Sequence, residues 1–335
     1  MNAEPTNTSH QYQRWDGTLN RGRWTWLVIV VIGIRLTLKT AKTRMLVMAV
    51  GLVTLLGCVV LYLLSLMEVL AGTPQAESIM EFIHIFLGVD VSDVSRLGEY
   101  REILWRVLFL VLIKIEMFWV MLVVARVGPG LIAGDLKHRA LPIYFAKPVT
   151  PLTYLAGKWL IVAAFIATVT LIPNLLAFFF GILVTGGLHS WGAELDLVVD
   201  IIVSGLTVCL VAGAIVLALS STTSDHRYVT VAWLAVCLLP AIAQKILNEN
   251  LPADSTTGWL GCFSLRDNVV VFTDWLLSTR ETLEATGLPD RAFSRALVRP
   301  VHPFNAAVVL AVCALAGLLV SYRRIVTFSR SAANV

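Results

Sequence analysis

Six long apolar runs dominate this sequence, and each could form a helix that crosses a lipid bilayer. The hydrocarbon core of a bilayer is about 30 Å thick, so a crossing helix needs about 20 apolar residues. In chain order the runs are Met45–Leu70, Ile103–Ala125, Trp159–Val184, Leu197–Leu219, Val229–Leu247 and Phe304–Tyr322. Only 14% of the residues are charged, whereas soluble domains carry about 25%. We therefore predict an all-α polytopic membrane protein with six transmembrane helices.

The residues before the first run predict a helix that lies along the membrane surface. Residues 24–44 begin with tryptophans and an apolar stretch that is too short to span. Cations then fall on one helical face and apolar residues on the neighbouring face: Arg35, Lys39 and Lys42, and Ile34, Leu38, Ala41 and Met45. This arrangement is typical of interfacial amphipathic helices.

The distribution of Lys and Arg predicts which loops are cytoplasmic, because such loops carry an excess of these residues. Residues 1–44 hold seven Lys/Arg against two acids, residues 126–158 hold five against one, and the tail after Tyr322 holds three against none. Residues 71–102 instead hold two Lys/Arg and six acids. Both termini and residues 126–158 are therefore predicted to face the cytoplasm.

This topology divides the chain into four parts. A polar cytoplasmic tail (1–23) and the amphipathic helix (24–44) precede a six-helix domain at 45–325, and a cytoplasmic tail (326–335) follows.

A large external segment, residues 248–303, precedes the last span. Within it, four apolar residues recur at helical spacing: Leu265, Val269, Phe272 and Leu276. They predict an amphipathic helix on the outer membrane surface or over a pathway. A separate soluble subdomain is the alternative.

The sequence lacks the common motifs for catalysis and for phosphate or metal binding. It contains no GxxxxGK[ST], HExxH or GxSxG. Its five cysteines show no CxxC or Cys/His spacing suited to a metal. The sequence contains no basic run with interleaved aromatic residues, which is the pattern that would indicate nucleic-acid binding. We therefore expect no enzyme active site, no metal or cofactor bound by this chain, and no nucleic-acid partner.

Three polar residues within the predicted spans are candidates for a role in a pathway or in helix packing. Lys114 and Glu116 are near the middle of the second run, and Asn174 follows Pro173 in the third. Ionisable groups at this depth cost at least ~2.5 kcal/mol and normally face protein or water. Because Lys114 and Glu116 point about 200° apart on a helix, each is expected to need its own partner. They could line a pathway or form interhelical hydrogen bonds, and Asn174 could bond a carbonyl that the proline frees.

The most elaborate polar segment, residues 126–158, connects the second and third runs. Gly128, Pro129 and Gly130 are expected to end the second span. The next residues mix charges with apolar side chains and predict one or two short amphipathic helices: Asp135, Lys137 and Arg139 with Leu136, Leu141 and Tyr144. Such apolar side chains are costly in a solvated loop, so we expect them to contact the membrane surface or a partner protein.

With these features the chain resembles the permease subunits of ABC-2-type transporters. Their loop between the second and third spans carries a glycine, small apolar residues, an acid, basic residues, a leucine pair and a proline, followed by an aromatic–x–x–glycine–lysine step. The matching residues here are Gly130, Asp135, Lys137, Arg139, Leu141, Pro148, Tyr154, Gly157 and Lys158. The amphipathic helix, the six spans with both ends inside and the external segment also match, so the resemblance covers about residues 24–325.

The resemblance implies that residues 126–158 form a coupling loop that contacts a separate nucleotide-binding subunit. In this interpretation Leu136, Leu141 and Tyr144 make the apolar contacts, while Asp135 and Arg139 fix the register. The partner is an ABC ATPase that binds ATP and Mg²⁺.

The resemblance also implies a second permease chain, identical or different, in the lipid of a bacterial inner membrane, where the complex would act as an exporter. Two alternatives stay open. The chain could be a non-transporting membrane partner of an ABC ATPase, or a membrane-embedded enzyme that uses Lys114, Glu116 or His84.

Overall fold

The computed structural model describes residues 25–70, 78, 79, 81, 82, 85, 97–141, 144, 149–186, 191–250, 262–286 and 302–333. Within these ranges the longer elements are all helices, and no strand occurs. In chain order they are α1 (Thr25–Leu38), α2 (Ala41–Leu70), α3 (Leu97–Val127), α4 (Pro129–Lys137), α5 (Pro151–Val169), α6 (Leu171–Thr185), α7 (Trp191–Thr222), α8 (His226–Asn250), α9 (Leu265–Leu276), α10 (Thr279–Thr286) and α11 (Pro303–Ala333).

Six stretches of these helices are long and apolar enough to cross a membrane, which confirms the predicted fold class. They are Ala41–Leu66, Tyr100–Lys137, Pro151–Thr185, Gly192–Thr222, His226–Ile246 and Pro303–Phe328. The second stretch includes α4, and the third comprises both α5 and α6. The chain is an all-α polytopic membrane protein.

The N-terminal segment differs from the prediction of one helix over residues 24–44. The helix α1 ends at Leu38, and α2 begins at Ala41. At the break, the Thr40 hydroxyl donates to the Thr37 carbonyl at 2.9 Å and bonds the Thr43 hydroxyl at 2.7 Å. Because these local hydrogen bonds compete with the helix ladder, residues on the two sides of the break do not share one helical face.

The described helices pack around two large apolar cores. A third, small cluster consists of Cys262, Val271 and Ala306. The inner core lies towards the predicted cytoplasmic side and includes the α3 residues after Leu112, together with α4, α5 and the second half of α7. The outer core includes the first half of α3 around Trp105 and Phe109, with the second half of α2 and with Phe178 of α6. Since lipid tails are as apolar as these side chains, close van der Waals packing rather than hydrophobic transfer holds such cores together.

The third span changes from the inner to the outer core at a break in its helix. Residues of α5 belong to the inner core and those of α6 to the outer core. Thr170 separates the two helices, and Pro173 lies in the first turn of α6. A proline is tolerated there because the first turn of a helix has no intrahelical partners for its N–H groups.

The helix predicted in the external segment is present as α9, but it is packed into the bundle. It contacts α3, α7, α8 and α11. Leu265 and Val269 of the apolar stripe are buried, and so are Asn268, Thr273 and Asp274 on other faces. The two ends of α9 are fixed to α3, since Arg266 donates to the Lys114 carbonyl at 3.4 Å and Arg106 donates to the Leu277 carbonyl. The described part of the segment is therefore neither a surface helix nor a separate subdomain.

Two spans approach each other closely at Gly317 of α11, which meets the backbone of α7. A β-carbon on this residue would lie 2.8 Å from the carbonyl carbon and oxygen of Ala214 in α7. Because backbone atoms cannot move aside as a side chain can, we expect Gly317→Ala to lower the free energy of unfolding by about 1–3 kcal/mol. Unfolding by SDS titration in mixed micelles would measure this change.

Gly51→Ala is the matched control for this prediction. It also adds one methyl group to a spanning helix, but no atom lies within 4 Å of that position. The control should be neutral, or stabilising by up to about 1 kcal/mol. Equal losses for both variants would contradict the packing explanation.

Candidate functional site

The short helix α4 lies at the end of the second span and is anchored through its first turn. The Ser220 hydroxyl near the end of α7 accepts hydrogen bonds from the backbone N–H groups of Ile132 and Ala133, at 3.1 and 3.0 Å. The same hydroxyl donates to the Pro129 carbonyl at 2.9 Å. Ser220 is fully buried, and its hydroxyl bridges the Ala133 N–H and the Pro129 carbonyl, which are four residues apart and would bond each other directly in a regular α-helix.

The other end of α4 is held by a buried ion pair. One oxygen of Asp135, Oδ2, lies 2.7 Å from Lys158 Nζ and accepts a hydrogen bond from the Tyr154 hydroxyl at 2.6 Å. The Lys158 side chain is only 9% exposed. Its ammonium also lies 5.8 and 5.4 Å from the ring centroids of Tyr144 and Tyr154, within the range of cation–π attraction. We call these four residues the Asp135 cluster.

Local sequence explains how α5 contributes two members of the cluster. Thr150 caps the helix by accepting from the Thr153 N–H at 3.2 Å, and Pro151 occupies the first helical position. Tyr154 and Lys158 are four residues apart, so they lie on one face of α5. Gly157, which precedes Lys158 in the chain, is also buried.

The Tyr144 ring completes the cluster from the segment that connects α4 and α5. It meets the Tyr154 ring edge-on, with 5.3 Å between the ring centroids. Burial, and secondarily the charge of Asp135, raises the pKa of the Tyr144 phenol. The Tyr144 hydroxyl therefore stays neutral across the physiological range.

The ten residues predicted for the coupling loop do not form one surface in the structure. Asp135, Tyr144, Tyr154 and Lys158 come together in the cluster. Leu141 is buried in the inner core, and Leu136 packs against that core. Gly130 and Arg139 are exposed. Pro148 lies outside the described residues.

The exposed end of α4 carries three basic or titratable side chains, Lys137, His138 and Arg139. Arg139 has φ of 50°, a left-handed conformation that ends the helix. Its N–H donates to the Leu136 carbonyl at 3.2 Å. These side chains, rather than the predicted leucines, form the accessible surface at this point.

The intramembrane polar residues form two separate contacts, as their spacing on the helix predicted. Glu116 is buried at the junction of the two cores, where its Oε2 accepts from Asn174 Nδ2 at 2.6 Å. Asn174 also donates to the Thr170 carbonyl at 2.7 Å, at the break in the third span. Among the described residues, the Asn174 Oδ1 atom has no hydrogen-bond partner.

Lys114 points instead towards α9. The nearby charges that act on it are Asp274, Arg266 and Asp267. Asp274 is buried beside Arg280, whose Nε lies 3.2 Å from Asp274 Oδ2. Burial raises the pKa of the Asp274 carboxyl, while Arg280 opposes that change.

Sequence reasoning missed Ser220, Arg106 and Asp274 as anchoring residues. A serine near the end of a span carries no distinctive pattern. Asp274 did give a signal, because it is an acid within the apolar stretch around Trp275.

Three cavities accompany these contacts. One of about 610 Å³ lies between α1, α4, Tyr144 and α5, and one of about 280 Å³ lies between α3, α8 and α9. A third of about 130 Å³ lies beside Asp274 and Arg280. Within the described ranges, no group of His, Cys, Asp and Glu side chains could hold a metal ion.

No protein-family model and no curated protein matches this sequence. Functional inference therefore depends on the geometry of the chain itself.

Proposed function

We propose that this chain is the membrane-spanning permease subunit of an ATP-driven exporter of the ABC-2 type. The observation that supports the proposal is the double anchoring of α4. The Asp135 cluster ties this helix to the third span, and Ser220 ties it to the fourth. A force applied to α4 would reach both spans through short, buried contacts.

The partner in this proposal is a separate ABC ATPase that binds ATP and Mg²⁺ and closes on the cytoplasmic side. Its contact surface on this chain is the exposed end of α4, with Lys137, His138 and Arg139. Exposed charges of this kind guide association and fix the register more than they add affinity. The ATPase is therefore expected to present acidic side chains there.

A second permease chain would complete the transport pathway in the bacterial inner membrane. The first and fifth spans are the least buried of the six. On the first span the exposed residues form a stripe at helical spacing: Met45, Met48, Leu52, Leu55 and Val59. Such faces can be covered by lipid and by a partner chain.

Charge reversal at the end of α4 tests the proposed coupling. We expect Lys137→Glu combined with Arg139→Glu to abolish co-purification with a co-expressed ABC ATPase, because facing like charges cost several kcal/mol. Stimulated ATP hydrolysis by the complex should be lost as well.

Arg323→Glu combined with Arg324→Glu is the control for this experiment. It reverses two exposed cations at the predicted cytoplasmic end of α11. Assembly and hydrolysis should persist in the control. If both pairs behave alike, α4 is not the contact surface.

A further measurement separates transport from the alternatives. ATP-driven movement of a candidate substrate across reconstituted vesicles identifies a transporter. Assembly and stimulated hydrolysis without movement of any substrate class would favour a non-transporting partner of the ATPase. Turnover by the chain purified alone would favour an enzyme.

A further inference from the structure

The 610 Å³ cavity beside the Asp135 cluster combines an apolar wall with a buried cation. Val28, Ile32 and Leu36 of α1 form one side of it, and Ile161 of α5 forms part of the other. The helix α1 touches α5 at Gly33, where a β-carbon would lie 2.3 Å from the end of the Ile161 side chain. Both residues line the cavity, so this contact between α1 and α5 is part of its wall.

Lys158 is the buried charge in the cavity wall. Its ammonium has three N–H groups, and among the described residues only Asp135 accepts from it, through Oδ2. The remaining hydrogens lie near the two tyrosine rings and the cavity. Lys158 can therefore donate to an additional acceptor without giving up Asp135.

Two further cations lie at or just after the end of α1. Arg35 follows the cavity residues Val28 and Ile32 by seven and three positions, and Lys39 follows Ile32 and Leu36 by seven and three. The spacing of Arg35 places it next to the cavity face of α1, and Lys39 directly follows the end of that helix at Leu38. Both side chains are exposed. Lys158 and Asp135 line the cavity. Arg35 and Lys39 flank two of its lining residues, Leu36 and Thr37, in the chain.

We propose that this cavity binds an anionic phospholipid from the leaflet on the α4 side, which is cytoplasmic in the predicted topology. The phosphate would lie near Arg35, Lys39 and Lys158, and one acyl chain would lie along α1. Basic pockets between membrane helices on this side of a membrane suit anionic headgroups. The lipid would contact α1 and the Asp135 cluster together. Its binding requires no ATPase, so the proposal is independent of the function proposed above.

Native mass spectrometry of the purified full chain tests this site with phosphatidylglycerol and phosphatidylcholine of identical acyl chains. We expect the chain to retain phosphatidylglycerol preferentially. Since each cation near a membrane surface contributes roughly a fivefold change in affinity, Arg35→Gln combined with Lys39→Gln should weaken phosphatidylglycerol binding about 25-fold. Arg323→Gln combined with Arg324→Gln removes two exposed cations elsewhere and should leave binding unchanged.

A steric variant tests the apolar wall without altering charge. Ile32→Trp places a larger side chain in the cavity and should abolish the preferential binding of phosphatidylglycerol. Val31→Trp, on the neighbouring position of α1, is also exposed but does not line the cavity, and should preserve it. Equal retention of both lipids by the unmodified chain would overturn the proposal. So would equal losses in the two cation pairs, or unchanged binding in Ile32→Trp.

Discussion

Replacing Asp135 by alanine is expected to lower the free energy of unfolding by about 3–5 kcal/mol. Removing one partner of a buried ion pair leaves an uncompensated charge, here Lys158 with its side chain only 9% exposed. The Tyr154 hydroxyl loses its acceptor in the same step. SDS titration of the purified chain in mixed micelles would measure the change.

Two further variants separate the ion pair from a general effect of changing α4. Lys137→Ala, at the exposed end of the same helix, should stay within about 0.5 kcal/mol of the unmodified chain. Asp135→Ala combined with Lys158→Met removes both charges and should recover a large part of the lost stability. If the double variant is no more stable than Asp135→Ala, the buried charge is not the cause.

Replacing Asn174 by leucine is expected to lower the free energy of unfolding by about 3 kcal/mol. The substitution removes the described hydrogen-bond donor to the buried Glu116 carboxyl and also the side-chain bond to the Thr170 carbonyl. A buried polar group left without a partner costs about 1–3 kcal/mol, and more when it is charged. The loss of free energy would be measured by the same SDS titration.

Glu116→Gln tests the same contact from the other side. Its amide oxygen can accept from Asn174, and its NH₂ group can donate to the Asn174 Oδ1 atom, which lacks a partner among the described residues. This variant should therefore lie within about 1 kcal/mol of the unmodified chain. A loss as large as that of Asn174→Leu would show that a carboxylate is required at this position.

The sequence was sufficient to predict the six spans and the helix α9, because these depend on the length and period of apolar runs. Within the spans, Lys114 and Glu116 were predicted to need separate partners, and they have them. Helical geometry alone decides that question, because it fixes the angle between the two side chains.

The partners themselves could not be predicted, because a pattern within one segment does not show which other segment faces it. Asp135 and Lys158 both occur in the loop motif, yet their spacing does not show that they pair with each other rather than with another protein. Leu141 had the same ambiguity, since an apolar side chain near a membrane surface can turn towards lipid, a partner or its own core. In the structure it turns to the inner core.

The break at Thr170 allows the third span to bend there as a hinge. The first helix of this span, α5, carries Lys158, which pairs with Asp135 of α4, whereas the second helix, α6, is packed into a different core. A helix without such a break would transmit any tilt of its lower end to its upper end in full. Here α5 can tilt relative to α6 at the break in the middle of the membrane. The hydrogen bonds of Asn174 to Glu116 and to the Thr170 carbonyl fix the point about which it tilts. A more rigid connection at Thr170 would change how far a movement of α5 is transmitted to α6, while both helices stay folded.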